Sequence, residues 1–242
     1  VKDAVIGDTV EVKIMRAKKS YAYAQLEKVI VPSPFRAVPK CRVAKACGGC
    51  QLQAVDYEKQ LEFKYSKVKN NLIRLGGFSE EELDAVMEPI VGMEEPYGYR
   101  GKSQFPFGED KEGNIITGFY AGHSHSIIAN TECIIGVEEN KEILEIILEH
   151  MKEYGMKAYD ENTGKGLLRH ALIRKGFSTG EIMVCLVLNC QKPMYDGGKS
   201  FLAGQNELLE KLGKIQGMTS ISVSLNTENT NVIMGLEIRN LW

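Results

Sequence analysis

Apolar and polar residues alternate at the start of this chain. Val10, Val12 and Ile14 alternate with polar neighbours, and Tyr21, Tyr23 and Gln25 resume the same period, so two strands are expected within the first 35 residues. A small β-barrel or sheet is their natural host, and Arg16, Lys18, Lys19, Tyr21 and Tyr23 would give it a basic, aromatic surface. Pro32, Pro34 and Pro39 then stiffen a connector. After Cys50 the period lengthens. Leu61, Tyr65, Val68 and Leu72 stand at helical spacing and predict a helix that Gly76 and Gly77 stop. Ser79 with Glu82 three positions later has the form of a capping box, which announces a short second helix closed by Pro89. Further strands are predicted near 99–107, 115–121, 167–175, 181–189, 218–225 and 231–238. Helices are predicted near 138–154 and 200–213, and a hairpin turns at Ser178 to Gly180. The pattern is α+β.

With 242 residues, 43% of them hydrophobic, the chain can bury a substantial core in one or two domains. Its longest purely apolar run, Ile182 to Leu188, falls far short of the roughly 18 residues of a membrane span. The opening VKDAVIGDTVEVK has neither a basic n-region nor an apolar h-region, so a cytoplasmic protein with reduced thiols and no membrane partner is expected. Net charge is only −2, but it is segregated: residues 1–75 hold 15 Lys and Arg against 7 Asp and Glu, whereas residues 76–242 hold 15 against 25. A basic first third suits a polyanion, nucleic acid above all, although Lys59, Lys64, Lys67 and Lys69 also fit an exposed helix face.

The run CRVAKACGGC changes the picture most. Cys41, Cys47 and Cys50 supply three thiols from one tight loop, a density that suits metal binding better than a core. Gly48 and Gly49 permit a sharp turn and let backbone N–H groups approach sulfur. A fourth ligand must come from elsewhere, and Cys133, at the junction of a predicted strand with a helix beginning near Val137, is the best placed. Cys185 and Cys190 lie in or beside an apolar run and read as small buried hydrophobes. Structural zinc usually draws on two short cysteine pairs, whereas three clustered cysteines plus a remote one lean towards an iron-sulfur cluster. His123 and His125 could share a strand face, but no third ligand stands at suitable spacing. The chain has no Walker loop and no Gly-x-Gly-x-x-Gly turn.

The segment SPFRAVPKCRVAKACGGCQLQAVDYEKQLEFK resembles the corresponding part of the bacterial RNA uracil-5-methyltransferases that carry an iron-sulfur cluster, especially those acting on 23S ribosomal RNA. YRGKSQFPF, GFYAGHSHSII followed by Cys133, and LLRHALIRKGFSTGEIMVCLVLN resemble the same family in the same order, so the likeness spans the chain. The resemblance implies a 4Fe-4S cluster held by Cys41, Cys47, Cys50 and Cys133. It implies that residues 1–36 are the C-terminal half of a TRAM domain, a partial OB-like β-barrel whose first half lies outside this chain. A mixed α/β central domain with an antiparallel sheet and the iron-sulfur loop, residues 37–50 and 95–242, would follow. Residues 51–94 would be a helical segment packing on a methyltransferase domain. Arg36, Arg100, Lys102, Arg169, His170 and Arg174 become candidate RNA contacts.

In the family, S-adenosylmethionine, the attacking cysteine and the proton-removing carboxylate belong to a later Rossmann-like domain. No catalytic residue is therefore expected among these 242, and the chain is read as a monomeric RNA-docking and cluster-bearing portion, inactive alone. Transfer RNA is the competing substrate. A free-standing iron-sulfur or zinc RNA-binding module without catalysis is the alternative, and the five-residue gap between Cys41 and Cys47 argues against a radical methylthiotransferase.

Overall fold

A computed structural model describes all residues, 1–242. Contacts divide the chain into two compact units: Val1–Lys45 with Cys50–Glu94, and Ala46–Gly49 with Glu95–Trp242.

In the first unit, β1 (Thr9–Ala17) and β2 (Ala22–Val31) form an antiparallel hairpin. They pair only with each other, so the expected barrel portion is a two-stranded sheet, broken by three register irregularities. Beyond it the Asp8 carboxylate accepts four hydrogen bonds, from Val5 N–H (2.6 Å), Ser33 N–H (2.8 Å), Arg36 Nε–H (2.8 Å) and Arg36 Nη2–H (2.7 Å). The Arg36 guanidinium holds this carboxyl well below the usual carboxylate range.

Helix α1 (Tyr57–Arg74) starts at Asp56, whose side chain accepts Glu58 N–H at 3.1 Å, and ends before the Gly76–Gly77 pair. Its predicted apolar face is not a core face: Leu61, Tyr65 and Leu72 are half-buried and Val68 is exposed. Helix α2 (Glu80–Val86) carries both arms of the capping box, Glu82 N–H to Ser79 Oγ (3.2 Å) and Ser79 N–H to a Glu82 carboxylate oxygen (2.8 Å). Lys69 of α1 bridges to Glu80 and Asp84 of α2.

The second unit is a seven-stranded sheet under two helices. Its strands are β3 (Lys102–Glu109), β4 (Ile115–Tyr120), β5 (Ile127–Ala129), β6 (Leu168–Lys175), β7 (Ile182–Leu188), β8 (Met218–Leu225) and β9 (Glu237–Asn240). Helix α3 (Glu139–Glu153) precedes β6, and α4 (Gln205–Gly213) connects β7 to β8. The order across the sheet is β5-β4-β3-β6-β7-β8-β9. The expected antiparallel sheet is in fact mixed, because the crossover through α4 brings β8 back parallel to β7. Alternate residues, Phe105, Phe107, Ala171, Ile173, Val184, Leu186, Leu188, Ile221 and Val223, form one face of the core. Ile143, Leu144, Ile147 and Met151 of α3 and Leu208 and Leu212 of α4 pack with them.

Four features depart from expectation, the first being β3, which runs 102–109 rather than 99–107. Helix α4 begins at Gln205 rather than 200, because Gly204 sits at φ 61°, outside helical geometry, and Gln205 Oε1 accepts Phe201 N–H at 2.9 Å. The strand expected at 231–238 forms only as β9. Asn226 Nδ2 donates to Val232 O (2.8 Å) and Ile233 O (2.9 Å), and Gly235 N–H donates to Ser224 Oγ (2.9 Å), which diverts the chain before it can pair. The three-residue β5 was not anticipated. No helix is long and apolar enough to cross a membrane.

Candidate metal centre and nucleic-acid surface

The cysteine loop is stitched to the second unit by its middle. Cys47 forms an isolated antiparallel bridge with Ala121, and Gly48 N–H donates to Tyr120 O at 2.9 Å. The approach is so close that a Cβ on Gly48 would stand 2.9 Å from both Gly122 N and Tyr120 O, so only glycine fits. Gly49 N–H donates to Cys47 Sγ at 3.4 Å, the backbone-to-sulfur contact expected of the glycine pair. Cys41 and Cys50 belong to the first unit and Cys47 and Cys133 to the second. Cys41 N–H donates to Gln53 Oε1 at 3.4 Å, and Cys133 lines a cavity of about 560 Å³ with Gly98, Lys141, Lys175 and Phe177.

None of the four is in a disulfide, and all are partly exposed. Thiolates are the donors that a soft metal or cluster takes, and Gly49 adds an N–H directed at the Cys47 sulfur. In the structure no three cysteine, histidine or carboxylate groups are gathered in metal-holding positions. Cys185 and Cys190 are buried, and burial pushes both thiols up, away from nucleophilic thiolates.

The candidate RNA contacts separate by environment. Arg100, Lys102 and Arg174 are exposed at one end of the sheet, with Lys102 directly opposite Arg174 in the β3–β6 register. Arg36 is instead committed to Asp8, which leaves little of its guanidinium for phosphate. Arg169 is 5% exposed, and its Nη1 donates to the carbonyls of Asn226 (2.9 Å) and Glu228 (2.7 Å) while the guanidinium lies 4.3 Å from the Tyr159 ring centroid. His170 is pushed down to about 4, mainly by burial and then by the Arg169 charge, so at neutral pH its ring carries no charge to offer a phosphate.

His123 and His125 lie in the β4–β5 loop, not on a strand. His123 has a left-handed backbone, φ 60°, and His125 Nδ1 pairs with Glu161 at 2.6 Å. Sequence reasoning missed the place where these side chains meet. A cavity of about 910 Å³ is lined by Tyr120, His125, Tyr159, Glu161, Arg169 and His170 among others. Its walls come from three separate stretches of chain, so no local pattern could announce it. The Tyr120 and His125 rings stack at 5.3 Å, and burial, with the Glu161 charge adding, pushes the Tyr120 hydroxyl up to about 12.

Comparison with known proteins narrows the class. No protein-family model matches the chain. It is 41% identical over 243 residues to an uncharacterized RNA methyltransferase of Clostridium tetani, covering 100% of this chain and 50% of that protein. An uncharacterized RNA methyltransferase of Clostridium acetobutylicum is also 41% identical, again over 100% of this chain and 50% of the relative. One from Staphylococcus aureus is 35% identical over 100% of this chain and 51% of its own length. The chain thus spans about half the length of the curated relatives it matches. Its fold is similar to that of the Pyrococcus abyssi tRNA (uracil-54, C5)-methyltransferase, solved in complex with S-adenosyl-L-homocysteine. That likeness has a TM-score of 0.68 and 23% identity, over 98% of this chain and 49% of that one.

Proposed function

We propose that this chain is the RNA-docking and cluster-bearing half of an S-adenosylmethionine-dependent RNA (uracil-5-)-methyltransferase, acting as a cytoplasmic monomer on a uridine of 23S ribosomal RNA. The observation that carries the reading is the 41% identity, along the whole chain, to about half the length of RNA methyltransferases. The likeness of fold to a uracil-C5 methyltransferase supports it. Methyl transfer itself is assigned to the half of those proteins that lies outside the match.

Within this chain, Cys41, Cys47, Cys50 and Cys133 would hold a 4Fe-4S cluster, with Gly49 N–H directed at the Cys47 sulfur. A cluster held by four thiolates has no open iron site to bind substrate, and the role assigned to it here is structure and RNA orientation. Arg100, Lys102 and Arg174 are exposed and free of carboxylate partners, and they meet the phosphate backbone. Residues 1–36 act as part of a TRAM domain and add the basic hairpin surface. Residues 51–94 pack against the methyl-transferring half.

The test is anaerobic purification followed by iron, sulfide and zinc analysis, together with competition between 23S ribosomal RNA fragments and transfer RNA. About four irons with equal sulfide, lost in Cys47→Ser, and preference for the ribosomal fragment are expected. One zinc without sulfide would instead favour a structural zinc module, and preference for transfer RNA would move the substrate. Arg174→Ala should weaken binding several-fold and lower the salt slope by about 1, because one phosphate contact is removed.

A further inference from the structure

The cavity of about 910 Å³ in the second unit falls within the roughly 300–1,000 Å³ of small-ligand sites. Its chemistry is specific. Arg169 is a buried cation with no carboxylate in ion-pair range: its Nη1 is taken by two carbonyls and its Nε has no partner. His170, 8% exposed, also lines the cavity and keeps Nδ1 without a partner. Those two atoms are enclosed, so a ligand with hydrogen-bonding groups of its own would meet the remaining edges of the Arg169 and His170 side chains, which line the cavity side by side. Glu161, at the same cavity, offers carboxylate oxygens and is held by His125 Nδ1 (2.6 Å) and the Tyr120 hydroxyl (3.4 Å). The stacked Tyr120–His125 pair and the Tyr159 ring supply flat apolar faces.

Glu109, Asp110, Glu112, Asp160 and Glu161 face Lys111, Lys157, Lys165 and Arg169 in the lining, a nearly balanced set of charges that does not single out a bare phosphate. A flat ring that presents a carbonyl acceptor beside N–H donors fits both halves, and among nucleobases that edge belongs to guanine. Its O6 suits the Arg169 and His170 floor, its N1–H and 2-amino group suit Glu161, and its face suits the aromatic walls.

We propose that this cavity holds an unstacked guanine of the RNA, a specificity pocket separate from the exposed Arg100, Lys102 and Arg174. The proposal rests on the RNA-binding reading above. It is tested by fluorescence anisotropy of the 242-residue chain with labelled nine-nucleotide single-stranded RNAs. These carry adenine throughout, one central guanine, or one central inosine, which lacks the 2-amino group. The guanine oligomer should bind roughly tenfold more tightly than the adenine one, with inosine between them. Glu161→Ala should erase the preference, and Glu161→Gln, which keeps one acceptor, should retain part of it. Glu161 is exposed, so neither change threatens folding. Equal, salt-sensitive binding of guanine and adenine oligomers would overturn the pocket while leaving RNA binding intact. A preference surviving Glu161→Ala would overturn the role given to the carboxylate. No binding of any oligomer would remove both the pocket and the reading beneath it.

Discussion

Helices α1 and α3 carry the same kind of apolar periodicity and meet opposite fates. In α3, six of 15 residues are buried, Ile143, Leu144, Ile147 and Met151 among them, whereas none of the 18 residues of α1 is buried. Periodicity therefore specifies a helix without saying what covers it. Helix α3 draws its stability from tertiary burial, while α1 relies on the Asp56 cap and the Lys69 links to α2.

The contrast is broken most directly by truncation. Ile147→Ala, at 1% exposure, should destabilise the second unit by about 2–5 kcal/mol, and Val68→Ala in α1 should cost less than about 0.5 kcal/mol. Urea titration followed by circular dichroism would measure both, and similar losses would show that the two helices are equally supported.

Acid should separate the units next. His170 is held neutral when folded but titrates near its ordinary 6.5 when unfolded, so protons favour the unfolded state once pH drops below that value. Its contribution is intact above about 6.5 and lost as pH falls towards about 4, a loss of at most about 3 kcal/mol. Asp8 behaves differently. Its depressed folded value gives stability that persists to near 3.8 and disappears only in stronger acid. Hydrogen exchange across pH 7 to 3 should show the second unit loosening first, and His170→Asn should flatten its slope between 6.5 and 4. Synchronous loosening of both units would contradict this order.

The most local effect lies at α2. Ser79→Ala removes the cap and should cost about 1 kcal/mol, confined to exchange rates in residues 79–86, with α3 unmoved.

Much of the scaffold was readable before any coordinates. The capping box at Ser79, the stop at Gly76 and Gly77 and the strands of the sheet centre are written in short-range pattern, and β6, β7 and β8 lie within a residue of expectation. The missed features depend on distant partners. Residues 231–236 have strand-like composition but are claimed by the Asn226 side chain, and Gly204 delays α4 through a backbone angle that composition does not reveal. At the candidate site, clustered cysteines are visible in a linear sequence, but the immersion of Arg169 beneath neighbouring loops is not. A basic residue looks the same in sequence whether it faces solvent or is enclosed.

The short stretch Ala46–Gly49 belongs to a different unit from the residues on either side of it. Backbone therefore crosses between the units three times, at 45–46, 49–50 and 94–95, rather than once as in a tandem of beads. A cloning boundary at residue 95 would consequently strip the sheet of the strand-like patch at Cys47 and leave Tyr120 O without its Gly48 donor. A fragment meant to hold the whole second unit would have to begin upstream of Ala46, because four of that unit's own residues stand far ahead of the rest in the chain.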